Sequence, residues 1–304
     1  MSEVSKPLPL FRLPTVLLRK ISGYMHLREI LLISLTSKKS AYIIQALLPP
    51  ISFEMQLSLY SHIYIALGNK DSWDPVVFKA QHSGSFSYRG DEKELEKVVK
   101  FLLSHFALVF NPTMQEVSFD EGCSQKLMIS VLKHVKRVNR VAATEIGEIS
   151  ISPENYKYIL DEFREIPRLA LNCKVASDFR YRTDRHLFKV EDFIVDDGHW
   201  MHLEDFTNCK MVTVNIENHM YPNISVMLRT FIEKWIDSAD WRLEQLEVCS
   251  YLAPINLSEV LVGVEYSTVE LNEQSETIEI TKKSDGRKAT VKCGEISFEF
   301  KVID

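Results

Sequence analysis

Glycine is scarce in this sequence, with 10 residues among 304, which argues against a glycine-rich cofactor site. Two motifs of hydrolytic enzymes, G-x-S-x-G and H-E-x-x-H, are absent as well. No apolar run approaches the ~20 residues that a helix needs to cross a bilayer. These absences argue against several enzyme classes and against a membrane-spanning chain, so we expect no catalytic residues, no metal and no cofactor.

Cysteine is also sparse, with five residues at wide intervals and no C-x-x-C pair. An odd number at such spacing is typical of free buried thiols in a reducing compartment rather than of a disulfide framework. The N-terminus has no basic segment followed by an apolar run of signal-peptide length. We therefore expect a cytoplasmic and/or nuclear location.

Acidic residues outnumber basic ones, but the charge is distributed unevenly. The chain has 36 Lys and Arg against 42 Asp and Glu, which gives a net charge of −6. Residues 1–50 hold seven basic and two acidic residues (+5), so the remainder carries −11. The acidic body argues against nucleic acid and anionic membranes as partners, whereas the basic N-terminal part could prefer an acidic protein.

Residues 10–50 contain more apolar side chains than three short helices can bury among themselves. Pro14 suits the first turn of a helix, and residues 27–35 are apolar on nearly every side of a second one. Thr36 or Ser37 can cap a third helix, which the two prolines at 49 and 50 end. The pattern predicts three helices and a further protein surface that covers them.

The same stretch resembles the F-box, a three-helix segment that binds the Skp adaptor of SCF-type cullin-RING ubiquitin ligases. The residues that carry the likeness are Leu13, Pro14, Leu17, Leu18, Ile21, Leu27, Ile30, Leu31, Leu35, Ser37 and Lys38. The pattern departs at Val16, where an acidic residue is common, and at Ser40, where tryptophan is often found. The resemblance implies binding to the Skp adaptor and, through it, to a cullin.

Eight of these residues are predicted to contact the adaptor: Leu13, Pro14, Leu17, Leu18, Ile21, Leu27, Ile30 and Leu31. The first four are the stronger candidates. The last four could serve either the interface or the core of the segment itself, and the sequence alone does not separate these roles.

The rest of the chain is predicted to be an α/β fold of the leucine-rich-repeat type. Apolar alternation from Phe53 predicts a strand, residues 81–91 a polar loop and residues 94–110 a helix. Short apolar cores then recur at strand spacing, with helical stretches between several of them. These cores are residues 117–119, 149–151, 169–171, 193–195, 212–214, 246–248 and 269–271. A doubly wound or mixed sheet is the alternative.

The C-terminal residues have a different pattern, typical of antiparallel strands. Residues 277–281, 289–293 and 296–302 are strand-like, and the Asp285-Gly286 pair between the first two predicts a hairpin turn. The predicted domains are therefore an F-box at 8–50, a strand and helix connector at 51–114, and a repeat-like α/β domain at 115–304 with this hairpin as its cap.

Residues from about 190 to 300 are similar to the F-box-associated type-2 domain, found in a divergent, expanded animal F-box family. The matching residues are Phe231, Trp235, Ile236, Leu243, Glu244, Leu246 and Glu247. The resemblance implies that this domain binds a substrate and performs no catalysis. Trp235 is expected in the core, whereas Trp241 follows a polar turn and is expected to be partly exposed, as a candidate substrate contact.

One polar cluster could suggest a metal site, because His199 and His202 are three residues apart and carboxylates lie near them. Only two histidines are available and no cysteine joins them. The favoured interpretation is a polar loop followed by a solvated helix start.

The sequence thus favours a non-catalytic protein with an adaptor-binding head and a body that binds an unidentified protein substrate. Two alternatives stay open. One is a repeat-type protein-interaction scaffold with no ubiquitin link, whose N-terminal helices are only a cap. The other is a metal-dependent enzyme, which depends on His199 and His202 alone.

Overall fold

A computed structural model describes residues 10–49, 53–60, 63–71, 75–80, 92–216, 224–251, 254–271 and 276–303. The chain divides after Ala142 into two compact units, which are described separately below. The predicted polar loop at 81–91 lies outside the described residues, as do positions 8, 9 and 50 of the predicted F-box. No helix within the described ranges is long and apolar enough to cross a membrane.

The first unit contains five α-helices and five strands among its described residues. Its helices are α1 (Thr15–Tyr24), α2 (Leu27–Leu35), α3 (Lys38–Leu47), α4 (Glu92–Phe110) and α5 (Gln125–Val138), after a 3₁₀ turn at Leu10–Arg12. Its strands are β1 (Phe53–Leu59), β2 (Ile63–Asn69), β3 (Val76–Ala80), β4 (Thr113–Phe119) and β5 (Arg140–Val141). The three N-terminal helices are confirmed. Local signals explain them, since Pro14 precedes α1 and the Ser37 side chain accepts the Ser40 N–H at 3.0 Å.

The strands of the first unit lie in the order β3-β2-β1-β4-β5. The β1–β2 and β2–β3 pairs are antiparallel, whereas β1–β4 and β4–β5 are parallel. The alternation that begins at Phe53 is therefore a hairpin of two strands. Helix α4 packs on this sheet, with Phe110 against Phe53 at 5.2 Å and Phe106 against Phe78 at 5.7 Å between ring centroids.

The second unit begins with parallel strands and ends with antiparallel ones. Its elements are β6 (Ala143–Ile146), α6 (Pro153–Glu162), β7 (Arg168–Leu171), β8 (Asp192–Val195), a 3₁₀ turn (Leu203–Phe206), β9 (Met211–Ile216), α7 (Ile224–Asp237), β10 (Gln245–Ser250), α8 (Leu257–Val260), β11 (Tyr266–Leu271), β12 (Glu276–Thr281), β13 (Lys288–Cys293) and β14 (Ser297–Ile303). Strands β6 to β10 pair in parallel and in chain order. The sheet then continues as β14-β13-β12-β11 with antiparallel pairing.

The antiparallel cap is confirmed, with Gly286 at φ +74° in the turn between β12 and β13. The prediction of a strand at 149–151 is wrong. The strand in this part of the chain is β6, at Ala143–Ile146, and Ser150 makes only an isolated bridge with Lys174. Ser152 caps α6 directly afterwards, which leaves no room for a strand. The result is a mixed α/β sheet. Because no α-helix joins β7 to β8 or β8 to β9, the repeat-like regularity stays a prediction.

Aromatic side chains fill the core of the second unit. Trp200 lies among Tyr156, Phe179 and Phe206, with ring centroids 5.4 to 6.0 Å apart. Trp235 is buried against Phe300 of β14 at 5.1 Å, so the expected core position of Trp235 is confirmed.

Gly198, in the loop after β8, has no room for a side chain. A Cβ atom there would lie 2.2 Å from Val214 Cγ1 on β9, while the Gly198 N–H bonds the carbonyl of Asn215 at 3.0 Å. We expect Gly198→Ala to lower the free energy of unfolding by ~1–3 kcal/mol through overpacking, measured by urea denaturation. Gly23→Ala is the control, because nothing lies within 4 Å of a Cβ there. An equal loss of stability in both variants would contradict the prediction.

Candidate functional site

An uncovered apolar face runs along α1. Val16, Leu17, Ile21 and Tyr24 are all exposed, and Tyr24 is 91 % accessible. Spacings of four and seven residues from Leu17 bring Ile21 and Tyr24 to one side of the helix, with Val16 beside them. The adjacent side of α1, about 100° round the helix from Leu17, turns inward through Leu18, which is 7 % exposed. We call these four exposed residues the α1 face. An apolar stripe of this kind on a folded chain is typical of a protein-binding surface.

The structure separates the eight predicted adaptor contacts by burial. Pro14, Leu17 and Ile21 are exposed, and Leu13 and Leu27 are half-buried. Leu18, Ile30 and Leu31 are buried, so little of their surface is available to a partner. Sequence reasoning missed Val16 and Tyr24 as members of the face. Helical spacing from Leu17 would have identified Tyr24.

Positive charge surrounds the α1 face. Helix α1 has no acidic residue, and the one in α2, Glu29, accepts the backbone N–H of His26 at 3.0 Å. The nearby cations make no ion pair with any described residue: Arg12, Arg19, Lys20, Arg28, Lys38 and Lys39. An acidic partner would therefore be attracted to this surface, and the attraction would weaken with added salt.

A polar cleft of about 650 Å³ in the second unit contains Trp241 and five carboxylates. The expectation that Trp241 is partly exposed is wrong, since it is 6 % exposed and packs on Phe231 at 5.5 Å. A contact between Trp241 and a substrate stays a prediction, and Trp241 offers less exposed surface for it than the sequence indicated.

The carboxylates of this cleft have cationic partners within the unit. The pairs are Arg182–Asp205, Arg185–Asp240, Lys234–Glu204, Lys283–Asp237 and Arg229–Glu233, at 2.7 to 3.9 Å. Because each negative charge is already matched, the cleft provides no unpaired acidic site for a basic ligand.

The histidine cluster does not form a metal site in the part of the chain that the structure describes. Both ring nitrogens of His199 are engaged, Nδ1 by the Asp197 carboxylate at 2.9 Å and Nε2 by the Ala176 carbonyl at 3.2 Å. Neither nitrogen is free to bind a metal. The predicted solvated helix start is a 3₁₀ turn in which Asp205 is buried against Arg182.

In two serine–histidine pairs of the first unit, the hydrogen bond runs from the histidine to the serine, which is the wrong direction for nucleophilic catalysis. The Arg137 guanidinium donates to Nδ1 of His134 at 3.1 Å, so Nε2 carries the proton and donates to Ser104 Oγ at 2.8 Å. Ser34 donates its hydroxyl proton to the Leu31 carbonyl, so His105 must likewise donate to Ser34 Oγ at 2.8 Å. A histidine that donates to a serine cannot remove its proton.

The cysteines are free thiols, as predicted, and all but Cys249 are buried. Burial raises the pKa of Cys123 and of Cys173 to about 12. These thiols stay protonated at neutral pH and are poor nucleophiles.

The two histidines make the stability of the first unit depend on pH. Burial lowers the pKa of His105, and burial together with Arg137 and Lys100 lowers that of His134. Below the ordinary histidine pKa the unfolded chain binds protons that the folded chain excludes, so stability is full above pH ~6.5 and falls as the pH drops below it. We expect less stability at pH 5.5 than at pH 7.5 by thermal denaturation. The difference should shrink in His105→Gln/His134→Gln; an unchanged difference would contradict this assignment.

Comparison with known proteins identifies the N-terminal segment. Residues 10–50 match the family model of the F-box domain. A search of curated proteins finds no match, and neither does a search of solved structures. The match covers the helices α1, α2 and α3. It therefore includes the α1 face and the buried residues of the three helices.

Proposed function

We propose that this chain is a substrate-recognition subunit of an SCF-type cullin-RING ubiquitin ligase. F-box domains mediate binding to the Skp adaptor and thus to the cullin scaffold, and F-box proteins are typically non-catalytic adaptors. The observation that carries the proposal is the α1 face, an uncovered apolar stripe on a helix inside the matched F-box. The adaptor would cover this face, with Leu17, Ile21 and Tyr24 as anchors.

The mechanism would be positional rather than chemical. Holding a substrate beside a ubiquitin-conjugating enzyme raises the effective concentration of the acceptor lysine, and the F-box subunit makes or breaks no bond. The polarity of the serine–histidine pairs and the protonated thiols support a non-catalytic role for the described residues. Such a subunit would act in the cytoplasm and/or nucleus.

The second unit would hold the substrate, as an F-box-associated type-2 domain. Its support is the placement of the matched residues: Phe231, Trp235 and Ile236 form the buried side of α7, and Leu246 lies buried in β10 between two polar neighbours. A leucine-rich-repeat-like arrangement of β6 to β10 would give this unit one strand-lined edge for binding.

Co-expression with the Skp adaptor and the N-terminal part of a cullin tests the proposal. We expect a ternary complex that stays together on size-exclusion chromatography in physiological salt. A well-folded chain that elutes alone at micromolar concentrations of all three proteins would refute the adaptor-binding role.

A further inference from the structure

A second apolar surface lies in the first unit, apart from the α1 face. Helix α2, strands β2 and β3, and helix α4 enclose a groove of about 840 Å³, which we call the α2–α4 groove. Its apolar lining is Leu27, Leu31, Leu32, Leu35, Ile63, Ile65, Pro75, Val76, Val77, Phe78, Val98, Val99 and Leu102. No residue of the α1 face is among them. A groove of this volume can take several side chains of a partner.

Several walls of the groove are left in contact with solvent. Leu32 is 57 % and Val98 53 % exposed, and Leu35 and Val77 are also exposed. Helix α2 is apolar on nearly every side, so the sequence predicts burial on every side. Among the described residues, the protein's own packing covers only one part of α2, through Ile30 and Leu31.

Beyond the groove, helix α4 exposes further apolar side chains on the same side as Val98. Phe101 and Leu108 lie three and ten residues after Val98, and Phe101 is 59 % exposed. His105 lies between them but is half-buried, with its Nε2 bonded to Ser34 Oγ of α2 at 2.8 Å. Such a row covers eleven residues, ~15 Å of helix axis, and forms the ridge that a second helix packs against. The shape of the surface therefore favours a helical occupant over a small molecule.

The charged residues that line the groove favour an occupant with negative charge. Among the described residues that line it, the two polar ones, His26 and Arg28, are both basic types and none is a carboxylate. Arg28 is exposed and makes no ion pair with a described residue. A partner that supplies a carboxylate next to Arg28 would gain a charge-assisted contact, whereas a lysine there would be repelled.

We propose that the α2–α4 groove is a docking site for an amphipathic helix of a partner protein, with large apolar residues on one face and an acidic residue beside Arg28. The α1 face contributes none of the walls of this site, although two of the predicted adaptor contacts, Leu27 and Leu31, do line it. It gives the first unit a recognition surface of its own.

A displayed library of acidic and basic amphipathic helices, ~16 residues (~24 Å) long, is the probe. Selection on the full chain should enrich peptides with large apolar residues at i, i+3 or i+4, and i+7 and at least one carboxylate. The synthesised winners should bind Leu32→Ser/Val98→Ser at least tenfold more weakly than wild type. Arg28→Glu should shift the preference from acidic to basic peptides.

Val262→Ser/Val269→Ser is the matched control, because both valines are exposed to a similar degree but lie in the second unit. It should leave peptide binding unchanged, and circular dichroism should show that every variant is folded. Winners that bind wild type and Leu32→Ser/Val98→Ser equally, or a selection with no winner, would overturn the proposal. If the groove variant instead loses the Skp adaptor, the groove belongs to the adaptor interface and the proposal is likewise wrong.

Discussion

Leu17→Asp/Ile21→Asp is expected to abolish binding of the Skp adaptor while the chain stays folded. Both side chains are exposed in the free protein, so the carboxylates remain in water and cost little stability before binding. At the interface each carboxylate would lie unpaired in an apolar contact, at ~3–5 kcal/mol. Because ~1.4 kcal/mol is a factor of ten, the pair should weaken the complex more than a thousandfold by calorimetry or surface plasmon resonance.

Two control variants separate charge from lost apolar contact. Leu17→Met/Ile21→Met keeps the apolar surface and should bind within threefold of wild type. Leu17→Asn/Ile21→Asn removes that surface without adding charge and should still weaken binding at least tenfold, since ~25 cal/mol is lost per Å² of apolar contact. Undiminished binding by the aspartate variant would show that the adaptor uses another surface.

A charged substitution at a buried residue of α1 should lower stability as well as adaptor binding, unlike the substitutions on the α1 face. Leu18 points into the three-helix core, so Leu18→Asp should lower the melting temperature along with adaptor binding. Loss of binding without loss of stability at Leu18 would place the interface on the side of α1 that the structure buries.

Local signals made the first and third helices of the first unit predictable, whereas α5 was not predicted. Thr15–Tyr24 begins directly after Pro14, and Lys38–Leu47 begins directly after the capping Ser37 and ends before two prolines. Capping groups and proline act within one turn of chain, so they are visible without any knowledge of the fold. The α1 face itself was only partly predictable, because periodicity shows that a stripe exists but not which side the protein covers.

Features that depend on contacts between different segments of the chain were missed, because capping and periodicity are local signals. Trp241 is buried because Phe231, ten residues earlier, packs on it, and the polar turn between them suggested exposure. The strand β6 escaped notice because ATEI alternates too briefly to differ from the apolar triplet at 149–151. Three carboxylates of the cleft have cationic partners 30 to 55 residues away in sequence, namely Glu204 with Lys234, Asp237 with Lys283 and Asp240 with Arg185.

Trp235→Ala should produce the largest loss of stability in the second unit. The indole is 2 % exposed, contacts Phe300 at 5.1 Å, and lies under Lys282 Nζ at 5.8 Å. Truncating a buried tryptophan costs ~3–5 kcal/mol through lost burial and the cavity left behind. Lys282 adds to this cost, because its buried Nζ makes no hydrogen bond with a described residue and would lose the ring that faces it.

Urea denaturation followed by far-UV circular dichroism measures this effect as a lower midpoint for the second unit. Tyr251→Ala is the control, since Tyr251 is an exposed aromatic of the same unit and its loss should change the free energy of unfolding by less than ~0.5 kcal/mol. Trp235→Phe, which keeps a ring against Phe300 and Lys282, should fall between the two.

Trp235→Ala also tests whether adaptor binding depends on the first unit alone. In buffer at low temperature, where Trp235→Ala is still folded, its affinity for the Skp adaptor should stay within twofold of wild type, because the α1 face lies in residues 16–24. A parallel loss of adaptor affinity with an intact circular dichroism spectrum would mean that the second unit takes part in the adaptor interface. Retained affinity would mean that the adaptor contact is made by the first unit alone.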